Sequence, residues 1–426
     1  MLLKFTDYDE SLLSRPDDNI GDITASVMEI LGKVRLEGDK ALYELSEKFD
    51  GARPSSLFVT EEEMEEAEKA VPGDLKEALM KAKENILKFH EAEMPVGECV
   101  ETSPGVVCSR KIVPIEKVGL YIPGGTAPLF STVLMLALPA KAAGCPDIML
   151  ATPARNGRIS PAVLYAAKLS GVGRILKAGG AQAIAAFAYG TESVERRDKI
   201  FGPGNRYVSV AKALVSTTVS IDMVAGPSEV MVAVDSSSDP VFAAADLLSQ
   251  AEHGKDSQVV LAVRSGSKAE AEGIYLKVEK ALEETLSRLG RQEYMLSSLS
   301  HSLAFPVYSD EELTEAINAY APEHLILSVE DPEKILEGVR NAGSVFLGAY
   351  TPESAGDYAS GTNHTLPTSG WARSCSGVSL DSYLKKITVQ KITREGLKGL
   401  SSTIETMAEA EGLYAHSEAV KVRCDA

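Results

Sequence analysis

The chain has 426 residues, 44% hydrophobic and 24% charged, which is ordinary globular usage, excludes collagenous or wholly disordered classes, and leaves room for two or three domains at ~150 residues each. A formal net charge of −18 with no segregated basic patch repels phosphate backbones and anionic membrane surfaces, so neither nucleic acid nor a membrane is expected as a partner. Cys99, Cys108, Cys145, Cys375 and Cys424 are odd in number and scattered, with no C-x-x-C pair, which offers no thiolate zinc site or disulfide framework and fits a reducing compartment.

The start, MLLKFTDYDE, meets acidic residues at once, and the richest apolar stretch, Ser131 to Ala140, is halted by Lys141. The expectation is a cytoplasmic protein without a membrane span. Residues 20–93 read as helical: Ile23, Val27, Ile30, Leu31 and Val34 recur at helical spacing, and Thr60 with Glu63 forms a capping-box signature ahead of an acidic, solvated helix.

From about Val106 the pattern changes to short apolar runs alternating with helices. KIVPI and VGLYIPGG come first, then a helix near 131–144, DIMLAT, a helix near 160–170, RILKA and a helix from Ala181. This is βαβ grammar and predicts a parallel sheet flanked by helices. A second set follows Pro227: EVMVAVD, a helix from Asp239 to about His253, QVVLAV, a charged helix 267–288, LAFPVYS, a helix from Asp310, HLILS and GSVFLG. The predicted organisation is an N-terminal helical region (1–105), two α/β lobes (106–227 and 228–370) hinged near Gly226-Pro227, and a tail (371–426). The tail has only a strand-like ITVQKIT, a helix from Arg394 and a terminal stretch, so it must pack on another lobe or subunit. No internal repeat is visible.

Chemistry-bearing residues are few. On the helix from Pro240, Val241, Ala244, Ala245 and Leu248 fall on one stripe, while Gln250 and His253 share another face about 60° apart. Gly254 is available as the C′ residue, and the helix dipole favours a cation there. The plain reading is a solvated helix end; the alternative is two ligands projecting together. Asp357 lies in the Gly-flanked segment SAGDYASG after the strand GSVFLG, which reads as a turn aspartate or as a functional group in a polar loop. Glu323-His324 precedes HLILS; as a carboxylate beside an imidazole it is a workable acid/base pair, or a surface dipeptide. YIPGG (121–125), AGGAQAIAA (178–186) and Gly202-Pro203-Gly204-Asn205 suit anion binding at helix N-termini, or are simply tight strand-to-helix turns; the third glycine of a dinucleotide fingerprint is missing.

Taken together, GLYIPGGTAPLFSTVLMLALPAKAAG, GPGNRYV, AGPSEV, LLSQAEHG, APEHL, AGDYASGTNHTLPT and EGLYAHSEAV resemble, in order and spacing, the histidinol dehydrogenase family in its monofunctional form. The resemblance implies two Rossmann-like lobes without the usual glycine fingerprint, a domain-exchanged homodimer, and a zinc- and NAD-dependent oxidation of L-histidinol through L-histidinal to L-histidine. It further implies zinc ligands Gln250, His253, Asp357 and His416, and cofactor contacts Tyr121, Gln182 and Asn205. The implied substrate contacts are Ser228, His324 and Glu411 with the zinc ligands close by, and His364 also leans towards histidinol. His324 would be the general base and Glu323 the water activator. Lys255, where the family pattern has proline, touches the loop rather than a ligand.

A Gln/Asp/His/His set offers oxygen and nitrogen but no thiolate, so its metal can take further ligands from a bidentate amino alcohol. Two hydride losses with an intervening hydration need a base for the hydroxyl and a base for water. Related dehydrogenases acting on other amino or sulfonated alcohols share this machinery, and a zinc hydrolase would use the same ligand types with Glu323 as base and no nicotinamide.

Overall fold

Short apolar runs buried on both faces can form only the interior of a helix-covered parallel sheet, and both predicted lobes fold this way. The structure, a computed structural model, describes residues 2–15, 21–124, 128–224 and 226–425. In the first lobe the strands Lys117–Tyr121, Asp147–Thr152, Arg174–Lys177, Lys199–Phe201 and Ser220–Ile221 are all parallel, and counted along the chain they lie in the order 3-2-1-4-5. The helix Phe130–Ala142 is buried from Ser131 to Ala140, as an all-round apolar helix must be.

The second lobe repeats the winding. Its strands Glu229–Val234, Gln258–Arg264, Leu303–Val307, His324–Ser328 and Ser344–Leu347 are again parallel in the order 3-2-1-4-5. No sequence repeat announces this, because the winding is fixed by right-handed crossovers rather than by particular residues. A sixth strand, Lys4–Phe5, pairs in parallel with Leu303–Val307 at the edge. The N-terminal region is therefore not wholly helical.

Its four long helices, Gly21–Glu37, Asp39–Asp50, Glu61–Ala70 and Gly73–Ala92, cover the first lobe. Val27, Leu31 and Val34 pack among Ala181 to Ala188 on one face, and Leu79, Ala82 and Ile86 pack among Leu134 to Leu138 on the other. The Thr60–Glu63 capping box forms as predicted.

One expected strand lies elsewhere. KIVPI begins within Val106–Pro114, the middle strand of a separate antiparallel sheet between Cys99–Ser103 and Leu384–Ile392. The boundary expected at 105/106 thus falls in a hairpin turn, and the tail is tied to that hairpin. Beyond it the helices Arg394–Ala410 and Tyr414–Asp425 pack chiefly on each other. Among the described residues, no helix is long and apolar enough to cross a membrane.

Candidate active site

The two carboxyl and imidazole groups of Glu323-His324 meet at the N-terminal edge of the second sheet. His324 is the first residue of its strand, whereas Glu323 still belongs to the turn, so the two side chains share one cluster instead of pointing to opposite faces. Glu323 Oε2 accepts the Glu229 N–H at 2.9 Å and lies 3.7 Å from His324 Nδ1. His324 Nδ1 is 3.4 Å from the Glu229 carbonyl and 3.9 Å from Glu353 Oε1, and its Nε2 is 3.6 Å from Asp357 Oδ1.

Charge in this cluster is lopsided. Burial alone would lower the His324 pKa, but Glu353, Glu323 and Asp357 outweigh it and push it up to about 10. Burial pushes Glu323 up to about 8 against the pull of His324 and the Glu229 N–H, and likewise pushes Glu353 up to about 8. Burial also acts on Asp357, yet the facing His324 imidazole and the nearby His364 and His253 hold it below the usual carboxylate range. Three buried carboxyls around one imidazole make a pocket that favours added positive charge.

Gln250, in the last turn, and His253, two residues past the end, are carried by the helix Pro240–Ala251, which starts at an Asp239 N-cap. The expected stripe is only half right: Ala244 and Leu248 are buried, but Val241 and Ala245 are exposed. Gln250 is 0% exposed, and neither its Oε1 nor its Nε2 has a hydrogen-bond partner; a solvated helix end is ruled out for it. Glu252 caps the helix in a right-handed conformation, so the C′ position is His253 and not Gly254. Asp357 sits on a short helix, Glu353–Tyr358, and is buried, contrary to the loop expected. His253 Nε2 is 3.9 Å from Asp357 Oδ2, and donor atoms of His253, Glu353 and Asp357 all lie within 4.8 Å of one another.

Orphaned amide and carboxylate atoms in a buried site cost about 1–3 kcal/mol each. Oxygen and imidazole donors without thiolate suit a divalent cation of zinc type. The residues present therefore fit a metal. Glu353 was not foreseen; its only sequence signal is its position four residues before Asp357, which places both carboxyls on one face of a helix.

His364 is positioned from both sides, its Nδ1 2.9 Å from the Asp357 carbonyl and its Nε2 3.1 Å from Thr132 Oγ1 on the first lobe. It reaches a ligand only by giving up one of these. Ser228 is half-buried immediately before the central strand. Glu411 and His416 are not brought to this cluster: both are exposed on the tail, Glu411 as the C-cap of Arg394–Ala410 and His416 on Tyr414–Asp425.

The first lobe's groups gather at the opposite, C-terminal edge, where the strand order reverses between Lys117–Tyr121 and Lys199–Phe201. This is where doubly wound sheets bind nucleotides. The Tyr121 hydroxyl accepts the Gly180 N–H at 3.0 Å, anchoring the helix Gly180–Tyr189 that carries the buried Gln182. Asn205 caps the helix Arg206–Val215 by accepting the Val208 N–H. At Gly202 (φ +123°) a Cβ would lie 2.0 Å from the Tyr121 carbonyl oxygen, so only glycine permits this close turn. A buried Lys212–Asp222 pair holds Gly202 by its carbonyl and its N–H. Gly125, predicted in the same crevice, lies outside the described residues.

Residues 13–424 match the family model described as histidinol dehydrogenase. The chain belongs to the histidinol dehydrogenase family. It is 55% identical over 426 residues to histidinol dehydrogenase of Bacteroides thetaiotaomicron, covering 99% of this chain and 98% of that one. To that of Bacteroides fragilis it is 53% identical over 428 residues, covering 100% and 99%. The crystal structure of histidinol dehydrogenase from Elizabethkingia anophelis superposes with a TM-score of 0.96 at 46% identity, covering 100% of this chain and 98% of that one. The α/β architecture with parallel sheets is thereby that of the family.

Proposed function

We propose that this chain oxidises L-histidinol by way of L-histidinal to L-histidine, using two NAD per turnover and one zinc ion per subunit. Two observations support the proposal most: the buried, partnerless Gln250 amide in the last turn of the helix that precedes His253, and the donor cluster of His253, Glu353 and Asp357 beside the Glu323–His324 pair.

Gln250, His253 and Asp357 would hold the zinc, with His416 supplied by the tail of a second copy; the ion would provide fixed positive charge and a point on which an amino alcohol is oriented. Tyr121, Gln182 and Asn205 would hold NAD in the first lobe's crevice. His324 would take the hydroxyl proton, the acidic neighbours Glu353 and Asp357 that hold it protonated being offset once the ion is bound, and a nicotinamide in the crevice would supply the hydride acceptor. Glu323, once ionised, would take a proton from the water that hydrates the aldehyde, and the hydrate would be the species oxidised to the acid. Ser228, His364 and Glu411 complete the substrate contacts. The exposed tail, bearing Glu411 and His416 and packed mainly on itself, supports an exchanged C₂ homodimer with two composite sites.

The test supplies the zinc-loaded protein with NAD and L-histidinol, beside a panel of other amino and sulfonated alcohols. The expected result is two NADH formed per histidinol consumed, with histidine as product. Turnover only of another alcohol would replace the substrate, and hydrolysis without NADH would overturn the reaction class.

A further inference from the structure

A glutamate opens the central strand of the second lobe, where all six residues from Glu229 to Val234 are buried. A carboxylate there is costly unless paired, and an apolar residue would serve stability as well or better. Its partner comes from far away in sequence. Arg15 Nε and Nη2 bind Glu229 Oε2 and Oε1 at 2.5 and 2.7 Å, a bidentate pair with side-chain exposures of 21% and 3%.

The same guanidinium makes a third bond, from Nη2 to the Tyr320 carbonyl at 2.7 Å, and stacks over the Tyr320 ring at 4.3 Å. Tyr320 ends the helix Asp310–Tyr320, and the next residue, Ala321, has φ +52°, a left-handed conformation that a non-glycine residue holds only when its surroundings enforce it. Two residues further stands Glu323. Arg15 therefore ties together two backbone segments, one at residue 229 and one at residues 320–323. Both matter to the acid/base pair, because the Glu229 N–H binds the Glu323 carboxylate and the Glu229 carbonyl faces His324 Nδ1.

We infer that Arg15 is a positioning residue for the reaction: through Glu229 and the Tyr320 carbonyl it fixes the relative placement of Glu323 and His324. The inference rests on the catalytic roles proposed above for that pair. Lysine would keep the charge but has no planar fork to span a carboxylate and a carbonyl at once.

The experiment compares wild type, Arg15→Lys and the neutral double variant Arg15→Gln/Glu229→Gln, each as the zinc-loaded full chain, by thermal unfolding, zinc content, and kcat and KM for histidinol and for NAD. Displacement of a reacting group by about 1 Å costs about 10²-fold in rate, so Arg15→Lys is expected to lose 10- to 100-fold in kcat while both KM values and zinc content stay within about threefold. The double variant, which leaves no unpaired buried charge, is expected to fold with wild-type zinc content and the same kcat loss. Wild-type kcat in either folded variant overturns the inference, as does a loss confined to KM or failure of both variants to fold, which would make the pair a stability element. Inactivity of the wild type on histidinol would instead break the proposed function, so the two failures are distinguishable.

Discussion

The two lobes share one winding and use opposite edges of it. In the first, the crevice at the C-terminal strand ends is kept open by close glycine turns at Gly202 and Gly124, whose absent Cβ atoms would strike the Tyr121 carbonyl and Pro153. In the second, the equivalent crevice lies between the ends of Glu229–Val234 and His324–Ser328 and is filled by charge. There Arg264 binds Asp235 at 2.6 Å and also pairs with Asp310, which takes Lys334 at 2.7 Å, while Asp235 further accepts the Glu330 N–H. Its candidate site, the Glu323–His324 cluster, sits instead at the N-terminal edge. A repeated scaffold thus carries two kinds of site because side chains, not topology, decide which edge is available.

The largest effect that breaks this division is at the second lobe's edge. His253→Ala is expected to lose zinc on dialysis against chelator together with at least about 100-fold in activity. Full zinc content and activity would make the ligand assignment wrong. Next comes the tail. Chains carrying His416→Ala and chains carrying His324→Ala should each be inactive, and co-refolding them should restore activity through heterodimers with one intact site; a fully active monomer at all dilutions would remove the exchanged dimer.

Within the pair, Glu323→Gln should slow histidinal oxidation by about 10²-fold or more and leave histidinol-to-histidinal chemistry largely intact in single-turnover assays. Equal rates on histidinal would end the water-activation role. In the first lobe, Asn205→Ser keeps a hydroxyl to cap the helix and is expected to raise the NAD KM about tenfold, as loss of one good polar contact does. The smallest effect belongs to the filled crevice. Arg264→Met should lower stability by about 1–2 kcal/mol, because the side chain is only partly buried, and leave both KM values unchanged.

Much of this was legible from residue order because βαβ alternation, helix caps and apolar spacing are local signals. Helix starts at Asp239 and Thr60, and the strand beginning at His324, needed nothing beyond a few neighbouring residues. What was not legible depends on distant partners. KIVPI looks like any apolar run until Leu384–Ile392 pairs against it from the tail. Lys4–Phe5 is too short to show a period, yet it completes the second sheet. Gln250 reads as a polar helix end until tertiary packing buries it and leaves its amide without a partner. Glu353 itself reads as a surface carboxylate, since only tertiary packing strips its solvent. The family motifs singled out Asp357 as a ligand, whereas the residues alone placed it in a loop; its short helix, Glu353–Tyr358, is visible only in the fold.

The central claim is that cofactor and metal are held by different lobes. The most direct measurement is calorimetric titration of zinc and of NAD, separately, into wild type, Asn205→Ser and His253→Ala. The account predicts that Asn205→Ser weakens NAD binding about tenfold with zinc affinity unchanged, and that His253→Ala loses zinc while still binding NAD. Loss of both ligands in either variant, or zinc loss in Asn205→Ser, would contradict it.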